Sequence, residues 1–414
     1  MKKDFFISNR ERLAGQLKDN SMLLLFAGEA PHKSADENYR FTPNRNFYYI
    51  TGIDKPKAVF MLEKTNEKCT ETLFIEKNDP VMAKWVGRKI SADEAKELSG
   101  IESIKYLDEL LTAFSSVHVK KEIKYLYLDM ERREWDMPQS SAQHFAEEAG
   151  RRYPHLKIKD AYHKISKLRM IKTDEEVGQI KKAIAITKDG ILSMMKNVKP
   201  GMYENEVEAY FDFELKRAGT KDFAFHSIIG SGVNGTTLHY EDNCCKIDDN
   251  SLVLTDVGAQ FEYYNADITR TFPAGGRFTE RQKELYNIVL KAQQETMKFI
   301  KAGVPFGEVN ERTKKVLAEE CRRIGLIKED SELQKYYFHG VSHHLGLDTH
   351  DVGSRDAVLE KGMVLTVEPG LYVEEEGIGI RIEDDVLVTE DGCINLSPDI
   401  IKTVEEIEEF MKNR

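Results

Sequence analysis

The sequence predicts two domains, an α/β domain over residues 1–168 and an α+β domain with an internal repeat over residues 169–414. Three observations lead to this fold class. A chain of 414 residues is longer than one hydrophobic core usually serves. Short β-rich runs alternate with polar segments up to residue 128, and the pattern becomes helical at Thr173. Two similar segments then recur in the second part of the chain.

The first domain is predicted from five apolar runs that are rich in strand-forming residues. Charged, alanine-rich segments such as SADEAKELSG (91–100) stand between them and are typical of helices. Strands that alternate with helices indicate an α/β sheet domain. The five predicted runs are MLLLF (22–26), FYYITG (47–52), AVFML (58–62), TLFIE (72–76) and KYLYL (124–128).

A helix start marks the second domain. Thr173 and Glu176 have the spacing of a capping box, in which each side chain accepts a hydrogen bond from the backbone of the other residue. Val177, Ile180 and Ile184 follow at helical spacing. We therefore place the domain boundary just before this helix, near residue 168.

The internal repeat is predicted from two segments, residues 198–219 and 300–325. Each segment indicates a turn, an amphipathic helix and a terminating glycine. Chance similarity between two amphipathic helices is the alternative explanation. The aligned residues are Gly201 with Gly303, Glu206 with Glu308, Val207 with Val309, and Gly219 with Gly325.

Composition limits the classes of function. The chain has 60 basic and 71 acidic residues, a net charge of −11, which disfavours broad attraction to nucleic acid or to anionic membranes. No apolar run approaches the roughly 20 residues that a membrane span needs, and the N-terminus has no signal-peptide core. Five cysteines without regular spacing argue against a disulfide framework. We expect a soluble, cytoplasmic protein without nucleic-acid or membrane partners.

Two aspartates lie in β-rich segments that flank a polar turn. Asp256 and Asp267 occupy these positions in SLVLTDVGAQFEYYNADITRTF (251–272), as in an antiparallel strand pair. Aspartate is depleted in strands, and a buried carboxylate costs several kcal/mol unless another group compensates it. We therefore expect a cationic group between the two side chains.

Acidic residues and histidines recur further along the chain. The segment 362–392 predicts two or three more strands, with Glu368 ending one and Glu383 inside another. Because strand side chains alternate, Arg381 and Glu383 should project from the same face. The segment YFHGVSHHLGLDTHDVG (337–353) supplies four of the eleven histidines, His339, His343, His344 and His350.

Convergence of four carboxylates and one imidazole would indicate a metal centre. Carboxylates so close together raise one another's pKa unless divalent cations neutralise them. Two ions about 3.5 to 4 Å apart can share a hydroxide and polarise a scissile carbonyl, so the predicted chemistry is metal-assisted hydrolysis. Carboxylate-rich ligands without a thiolate favour Mn, with Co, Fe or Zn as alternatives. The five residues are Asp256, Asp267, His343, Glu368 and Glu383.

At these residues the chain resembles the pita-bread metallopeptidases, the family of methionine aminopeptidase, prolidase and aminopeptidase P. The resemblance covers the C-terminal half and implies a pita-bread catalytic domain with a pseudo-twofold repeat. It also implies that the five residues named above are the metal ligands. The motifs that carry it, in the family's order, are TDVGAQFEYYNADITRTF (255–272), HGVSHHLGLDTHDVG (339–353), TVEPGLY (366–372) and GIRIEDD (379–385).

The resemblance also implies roles for single residues. Glu368 would accept the proton of the attacking water, and His239 and His350 would contact substrate and stabilise the tetrahedral intermediate. His339 would line the pocket at or beyond proline. Arg381 would hold Glu383 in register, and two further residues are expected to line the site, Tyr372 and Arg355.

The N-terminal half selects a branch of the family. FYYITGIDKPKAVFML (47–62) and WVGR (85–88) resemble the N-terminal domain of aminopeptidase P, which methionine aminopeptidase lacks. The resemblance implies removal of the N-terminal residue from peptides with proline at the second position. It also implies a homodimer or homotetramer, with Trp85 reaching a neighbour's cleft.

Two alternative functions stay open: prolidase, which cuts only Xaa-Pro dipeptides, and a catalytically inactive pita-bread binding module. Creatinase shares the architecture, but its relatives lack the full ligand set.

Overall fold

The computed structural model describes residues 1–414, which divide into two compact units, Met1–Arg169 and Met170–Arg414. The division falls one residue after the expected boundary. No helix in the chain is both long enough and apolar enough to cross a bilayer.

The first unit is a six-stranded mixed sheet with helices packed on it. Strand order is β6-β5-β4-β1-β7-β8, and a small separate hairpin is formed by β2 and β3. Apolar side chains of the sheet, such as Leu24 and Leu126, pack against Phe114 and Ala146 of two helices. The strands are β1 (Ser21–Phe26), β2 (His32–Ser34), β3 (Glu37–Asn38), β4 (Val59–Thr65), β5 (Lys68–Ile75), β6 (Ile104–Tyr106), β7 (Tyr125–Leu128) and β8 (Lys157–Asp160). The helices are α1 (Lys3–Gln16), α2 (Arg45–Thr51), α3 (Ala83–Val86), α4 (Ala92–Ser99), α5 (Leu110–Lys120), α6 (Ser141–Arg152) and α7 (Tyr162–Met170).

One predicted strand is wrong. The run FYYITG (47–52) forms most of helix α2 instead of a strand. Asn44 caps this helix by accepting a hydrogen bond from the backbone N–H of Phe47, and Gly52 ends it in the left-handed conformation at φ 70°. The two capping residues prevail over the strand preference of the aromatic side chains, all of which are buried.

The second unit consists of two halves built from similar elements, although the hairpin follows two sheet strands in the first half and one sheet strand in the second. In each half a pair of helices precedes strands, and a two-stranded hairpin is inserted between two strands of a three-stranded sheet. The first half contains α8 (Asp174–Asn197), α9 (Glu204–Arg217), β9 (Ile228–Ser231), β10 (Leu252–Val257), β11 (Gln260–Phe261), β12 (Tyr264–Asn265) and β13 (Ile268–Pro273). The second contains α10 (Glu280–Phe299), α11 (Phe306–Arg323), β14 (Val364–Val367), β15 (Gly370–Val373), β16 (Ile378–Arg381), β17 (Asp384–Val388), β18 (Cys393–Asn395) and α12 (Val404–Lys412).

The glycines of the predicted repeat occupy equivalent positions. Gly201 and Gly303 precede α9 and α11 with backbone φ angles of 91° and 88°. Residues other than glycine rarely adopt such positive φ angles. Gly219 and Gly325 follow the same helices at 74° and 73°. The predicted internal repeat is thus confirmed as two copies of a turn, helix and left-handed stop.

The predicted helix start at Thr173 is also confirmed. The Thr173 hydroxyl accepts from the backbone N–H of Glu176, and the Glu176 carboxylate accepts from the backbone N–H of Thr173. Helix α8 then packs against α9, where Gly190 faces the ring of Phe211.

Candidate metal centre

The paired strands β10 and β13 bring two carboxylates together. The strands run antiparallel, with Asp256 opposite Thr269, and Asp267 lies immediately before β13. Both aspartates are buried. Burial raises the pKa of Asp267 well above its ordinary value, and the nearby charge of Asp256 raises it further. The strand pair expected from the sequence therefore places two carboxylates close together, where a proton or a cation is needed to offset their repulsion.

Two further carboxylates come from the second half of the unit. Glu368 directly follows β14, as expected. Glu383 does not lie inside a strand, as the alternation pattern predicted, but in the two-residue break between β16 and β17. Its backbone N–H donates to the carbonyl of Thr269, and the Thr269 hydroxyl donates to Glu383 Oε2 at 2.7 Å. The break lets Glu383 turn toward β13.

His343 reaches the same place from an irregular segment beside β14. Its carbonyl accepts from the backbone N–H of Thr366, and its own N–H donates to the Thr366 hydroxyl at 3.1 Å. The ring Nδ1 donates to the carbonyl of His344 at 3.0 Å. Because a carbonyl can only accept a hydrogen bond, the proton of the neutral ring lies on Nδ1. Nε2 is left with a free lone pair. Nε2 lies 3.3 Å from Asp267 and 3.7 Å from Glu368.

The five side chains suit divalent cations. Candidate ligand atoms of Asp267, His343 and Glu383 all lie within 4.8 Å of one another. Asp256 Oδ1 is buried without a hydrogen-bond partner, which is costly unless a cation occupies the space beside it. Burial raises the pKa of Glu383 well above its ordinary value and that of Glu368 to about 7. Oxygen ligands with one imidazole are the donor set of a hard or borderline divalent metal.

Arg381 lies beneath these carboxylates. It donates through Nη2 to Asp256 at 2.6 Å and through Nε to the hydroxyl of Thr269 at 3.1 Å. It therefore reaches Glu383 through Thr269 rather than directly. Its third bond, from Nη1, goes to the hydroxyl of Tyr372 at 2.9 Å.

Tyr372 connects Arg381 to His339. The Tyr372 hydroxyl lies 2.9 Å from His339 Nε2, and His339 Nδ1 donates to the carbonyl of Gly340. Burial lowers the pKa of His339 to about 4 and raises that of Tyr372 to about 12, so both groups are neutral near pH 7. Tyr372 is buried one layer behind the cavity, whereas His339 lines it.

A cavity of about 650 Å³ opens above the cluster. The ring of His350 stands edge-on to that of His343, with centroids 4.4 Å apart. Part of the cavity wall is apolar. The predicted site residues on the wall are Asp256, Asp267, His343, Glu368, Glu383, His239, His339, His350, Arg355 and Arg381, and the apolar residues are Phe225, Ile228, Leu238 and Phe306.

Several residues around the site were not predicted. Thr269 had a usable signal, because it follows Asp267 by two positions and strand side chains at that spacing share a face. Thr366 precedes Glu368 at the same spacing. The apolar wall residues come from β9, α11 and two loop positions and follow no periodic pattern, so nothing in the sequence marked them.

Arg270 was also missed, although its side chain is fully buried. It donates to the carbonyl of Glu383 at 2.6 Å and to Asp384 at 2.6 Å. It also donates to the carbonyls of Ile400 and Ile401, both at 3.0 Å. Burial alone would raise the pKa of Asp384, but the charges of Arg270 and the neighbouring Lys402 lower it below its ordinary value. Arg270 thus ties the backbone of Glu383 to the C-terminal segment.

Family comparison agrees with this geometry. A model of metallopeptidase family M24 matches residues 178–390, and a model of the aminopeptidase P N-terminal domain matches residues 6–127. The chain belongs to metallopeptidase family M24. Its two matched regions follow the order expected from the sequence motifs.

Individual relatives of this M24 chain match it along nearly its whole length. The Xaa-Pro aminopeptidase of Escherichia coli is 34% identical, with 98% of this chain and 97% of that protein covered. A Bacillus anthracis structure provisionally named aminopeptidase P is 57% identical with a TM-score of 0.98, covering 100% of this chain and 99% of the other. Escherichia coli aminopeptidase P, solved with the inhibitor Pro-Leu, is 32% identical with a TM-score of 0.91 and coverages of 100% and 99%. The same enzyme has been solved in a zinc-substituted form with product.

Proposed function

We propose that this chain is an Xaa-Pro aminopeptidase, a metallo-exopeptidase that releases the N-terminal residue from peptides with proline at the second position. The observation that carries the proposal is the meeting of four acidic side chains and one imidazole on one cavity wall. The names of the full-length relatives agree with it. The five residues are Asp256, Asp267, His343, Glu368 and Glu383.

These five residues would hold two divalent cations, with Mn the best match to the donor set. When bound, such ions lower the pKa of a water molecule and polarise the scissile carbonyl. The partnerless Asp256 Oδ1 and the free Nε2 of His343 point to the same use. Thr269 and Arg381 would keep Glu383 and Asp256 oriented between turnovers.

Other polar residues of the cavity would transfer the proton and stabilise the charge that develops during the reaction. Glu368 would accept the proton of the attacking water, since its carboxylate lines the cavity beside the other predicted metal ligands. His239 and His350 lie on the wall, where their N–H groups can donate to the oxyanion of the tetrahedral intermediate.

Selection of proline would come from the wall of the cavity. The amide before proline has no N–H, and the ring fixes φ near −65°, so a site that relies on a backbone donor binds it poorly. Phe306 and the neutral imidazole of His339 instead offer surfaces for the ring. Arg355 can pair with a substrate carboxylate, and Tyr372 would act through His339, which its hydroxyl contacts.

Peptides of two lengths test the proposal. Mn-loaded protein should release the first residue from an Xaa-Pro-Xaa tripeptide and should leave the matching Xaa-Ala-Xaa peptide nearly intact. Cleavage of the Xaa-Pro dipeptide alone would instead indicate a prolidase. Fewer than one ion per chain after Mn loading, together with no hydrolysis of either peptide, would indicate a binding module.

Two substitutions test the ligand assignment. Asp267→Ala or Glu368→Ala should abolish turnover while the circular dichroism spectrum is retained, because each removes a predicted metal ligand from a folded scaffold. Asp391→Ala is the matched control, since Asp391 is an exposed carboxylate in a turn and should be dispensable. Full activity of either site variant would show that the assignment is wrong.

We also propose a cytoplasmic homodimer or homotetramer. Trp85 supports self-association, because 81% of its surface is exposed on the short helix α3 beside exposed Val81, Met82 and Val86. Apolar side chains grouped in this way commonly mark a protein contact. Light scattering on the purified chain, compared with a Trp85→Ala variant, measures the assembly directly.

A further inference from the structure

Two adjacent cysteines lie close to the cavity and have no part in the proposed reaction. Cys244 and Cys245 are both exposed and both free. They end a short segment that begins with His239 and includes Glu241, and both of these residues line the cavity. A ligand held by the two thiols would therefore sit within a few residues of the site wall.

The two thiols turn toward a single group. Cys244 Sγ lies 3.9 Å from the hydroxyl of Tyr240, and the side chain of Cys245 lies close enough to the same hydroxyl to raise its pKa. Successive side chains of an extended chain would point to opposite sides, which would separate the sulfurs. Burial of Tyr240, together with Cys245 and Glu204, raises the pKa of its hydroxyl, so the shared neighbour of both sulfurs is a neutral phenol.

Local contacts hold this arrangement in place before any ligand arrives. Asn243 has a φ of 45°, and its side chain accepts from the backbone N–H of Ile229 at 2.9 Å. The same side chain donates to the carbonyl of Ser227 and to Glu208, both at 2.9 Å. A fixed backbone reduces the entropy lost when both sulfurs bind one centre.

Glu204 links the cysteines to the interior. This fully buried carboxylate accepts from the backbone N–H of Cys245 at 2.9 Å and from the hydroxyl of Tyr240 at 2.8 Å. Its other oxygen accepts from Ser231 and Asn234. A change at the thiols that displaces Tyr240 therefore removes a partner from a buried charge and disturbs the residue next to His239.

We propose that Cys244 and Cys245 form a dithiol site for a soft, thiophilic centre, of which a trivalent organoarsenical is the type. Thiolates are the protein ligands that soft centres prefer, whereas the carboxylate-rich cluster suits harder ions. An arsine oxide, R–As=O, condenses with the two thiols: two As–S bonds form, the As=O bond breaks, and both thiol protons leave with the oxygen as water. Arsenic remains trivalent throughout, so no oxidant or reductant is needed.

Phenylarsine oxide added to the metal-loaded full-length chain tests the site, with the mass of the intact protein as the readout. One phenylarsenic group should add per chain, and 2,3-dimercaptopropanol should remove it where 2-mercaptoethanol at equal thiol concentration does not. Cys244→Ser and Cys245→Ser should each weaken binding by about 100-fold or more, because a chelate loses its second arm.

Cys69→Ser is the matched control, since Cys69 is also exposed but has no neighbouring thiol, and it should bind the arsenical like the original chain. Undiminished binding by Cys244→Ser, or removal of the adduct by the monothiol, would overturn the dithiol site. Both readouts are independent of peptide hydrolysis, so failure of the proposed peptidase function would leave them valid.

Hydrolysis of an Xaa-Pro-Xaa peptide tests the connection to the cavity. Stoichiometric phenylarsine oxide should reduce turnover of the original chain more than about tenfold, as expected when a positioned catalytic group is shifted. The Cys245→Ser variant should keep its turnover under the same treatment. Adduct formation without loss of turnover would overturn this connection.

Discussion

Thr269 donates its hydroxyl hydrogen to Glu383 and accepts one from Arg381, and Arg381 in turn donates to Asp256. The hydroxyl of Thr269 thus links the carboxylate of Glu383 to the guanidinium of Arg381, which in turn holds the carboxylate of Asp256. The position is demanding, because every partner is buried and no water can replace a missing contact without rearrangement.

We expect Thr269→Val to weaken Mn binding by about 10- to 100-fold, since it removes a hydrogen-bond partner of a predicted ligand and keeps the side-chain shape. Calorimetric titration of the metal-free protein with Mn measures the change. Thr269→Ser retains the hydroxyl and should bind nearly as tightly as the original chain. Equal Mn affinity of the Val and Ser variants would contradict the positioning role.

His118, in the first unit, shows a different use of burial. Neither ring nitrogen has a hydrogen-bond partner, and the ring stacks on Tyr153 with centroids 4.6 Å apart. Burial lowers the pKa of His118 below its ordinary value of 6.5, and the nearby His155 lowers it further. Since the unfolded chain then binds more protons than the folded chain, the free energy of unfolding should fall as pH drops below about 6.5.

Urea unfolding at several pH values tests this expectation. The original chain should lose more stability than His118→Leu between about pH 7.5 and pH 5, because leucine cannot be protonated. Parallel stability curves for the two proteins would show that His118 does not contribute to acid sensitivity.

At the scale of single elements, the sequence predicted those helix starts and ends that depend on residues close together in the chain. The capping box at Thr173 and the glycines around α9 and α11 are short-range features, and the structure contains them where expected. The run FYYITG (47–52) was misassigned, because its aromatic residues favour strands while Asn44 and Gly52 cap a helix. Capping residues should outweigh side-chain preference in such short apolar runs.

Two glycines of α8 differ in what surrounds them. A methyl group at Gly190 would overlap the buried ring of Phe211, whereas one at Gly178 would meet no atom within 4 Å. We expect Gly190→Ala to destabilise the protein by about 1 to 3 kcal/mol through overpacking. Gly178→Ala should stabilise it by up to about 1 kcal/mol, because alanine favours helix.

Chemical denaturation of both variants measures the two effects. Similar behaviour of the variants would show that α8 and α9 are not closely packed at Gly190. The pair separates packing from helix preference, since both substitutions are the same and lie in one helix.

At the scale of the molecule, the site depends on contacts between distant parts of the second unit. The sequence identified five acidic and imidazole residues by type and order, and the structure brings them onto one cavity wall. It did not identify the support of Glu383 by Arg270, because Arg270 binds mostly backbone carbonyls. A carbonyl is present at every residue, so such a contact leaves no mark in the sequence.

Metal loading should stabilise the whole protein. Asp267 and Glu383 repel each other in a buried site, and cations remove this cost only in the folded chain. Mn at 100 times its dissociation constant should add about 2.7 kcal/mol to the free energy of unfolding per independent site. Scanning calorimetry should show a higher transition temperature with Mn for the original chain and a smaller increase for Asp267→Ala. An unchanged transition would contradict binding to the folded state.

The bonds from Arg270 to Ile400 and Ile401 have a consequence for biosynthesis. A ribosome releases the chain from its N-terminus, so Glu383 emerges before the residues that complete the clamp around its backbone. Until residues 400 and 401 leave the exit tunnel, Arg270 lacks two of its acceptors. The backbone support of Glu383 is therefore completed by residues that are synthesised after Glu383 itself.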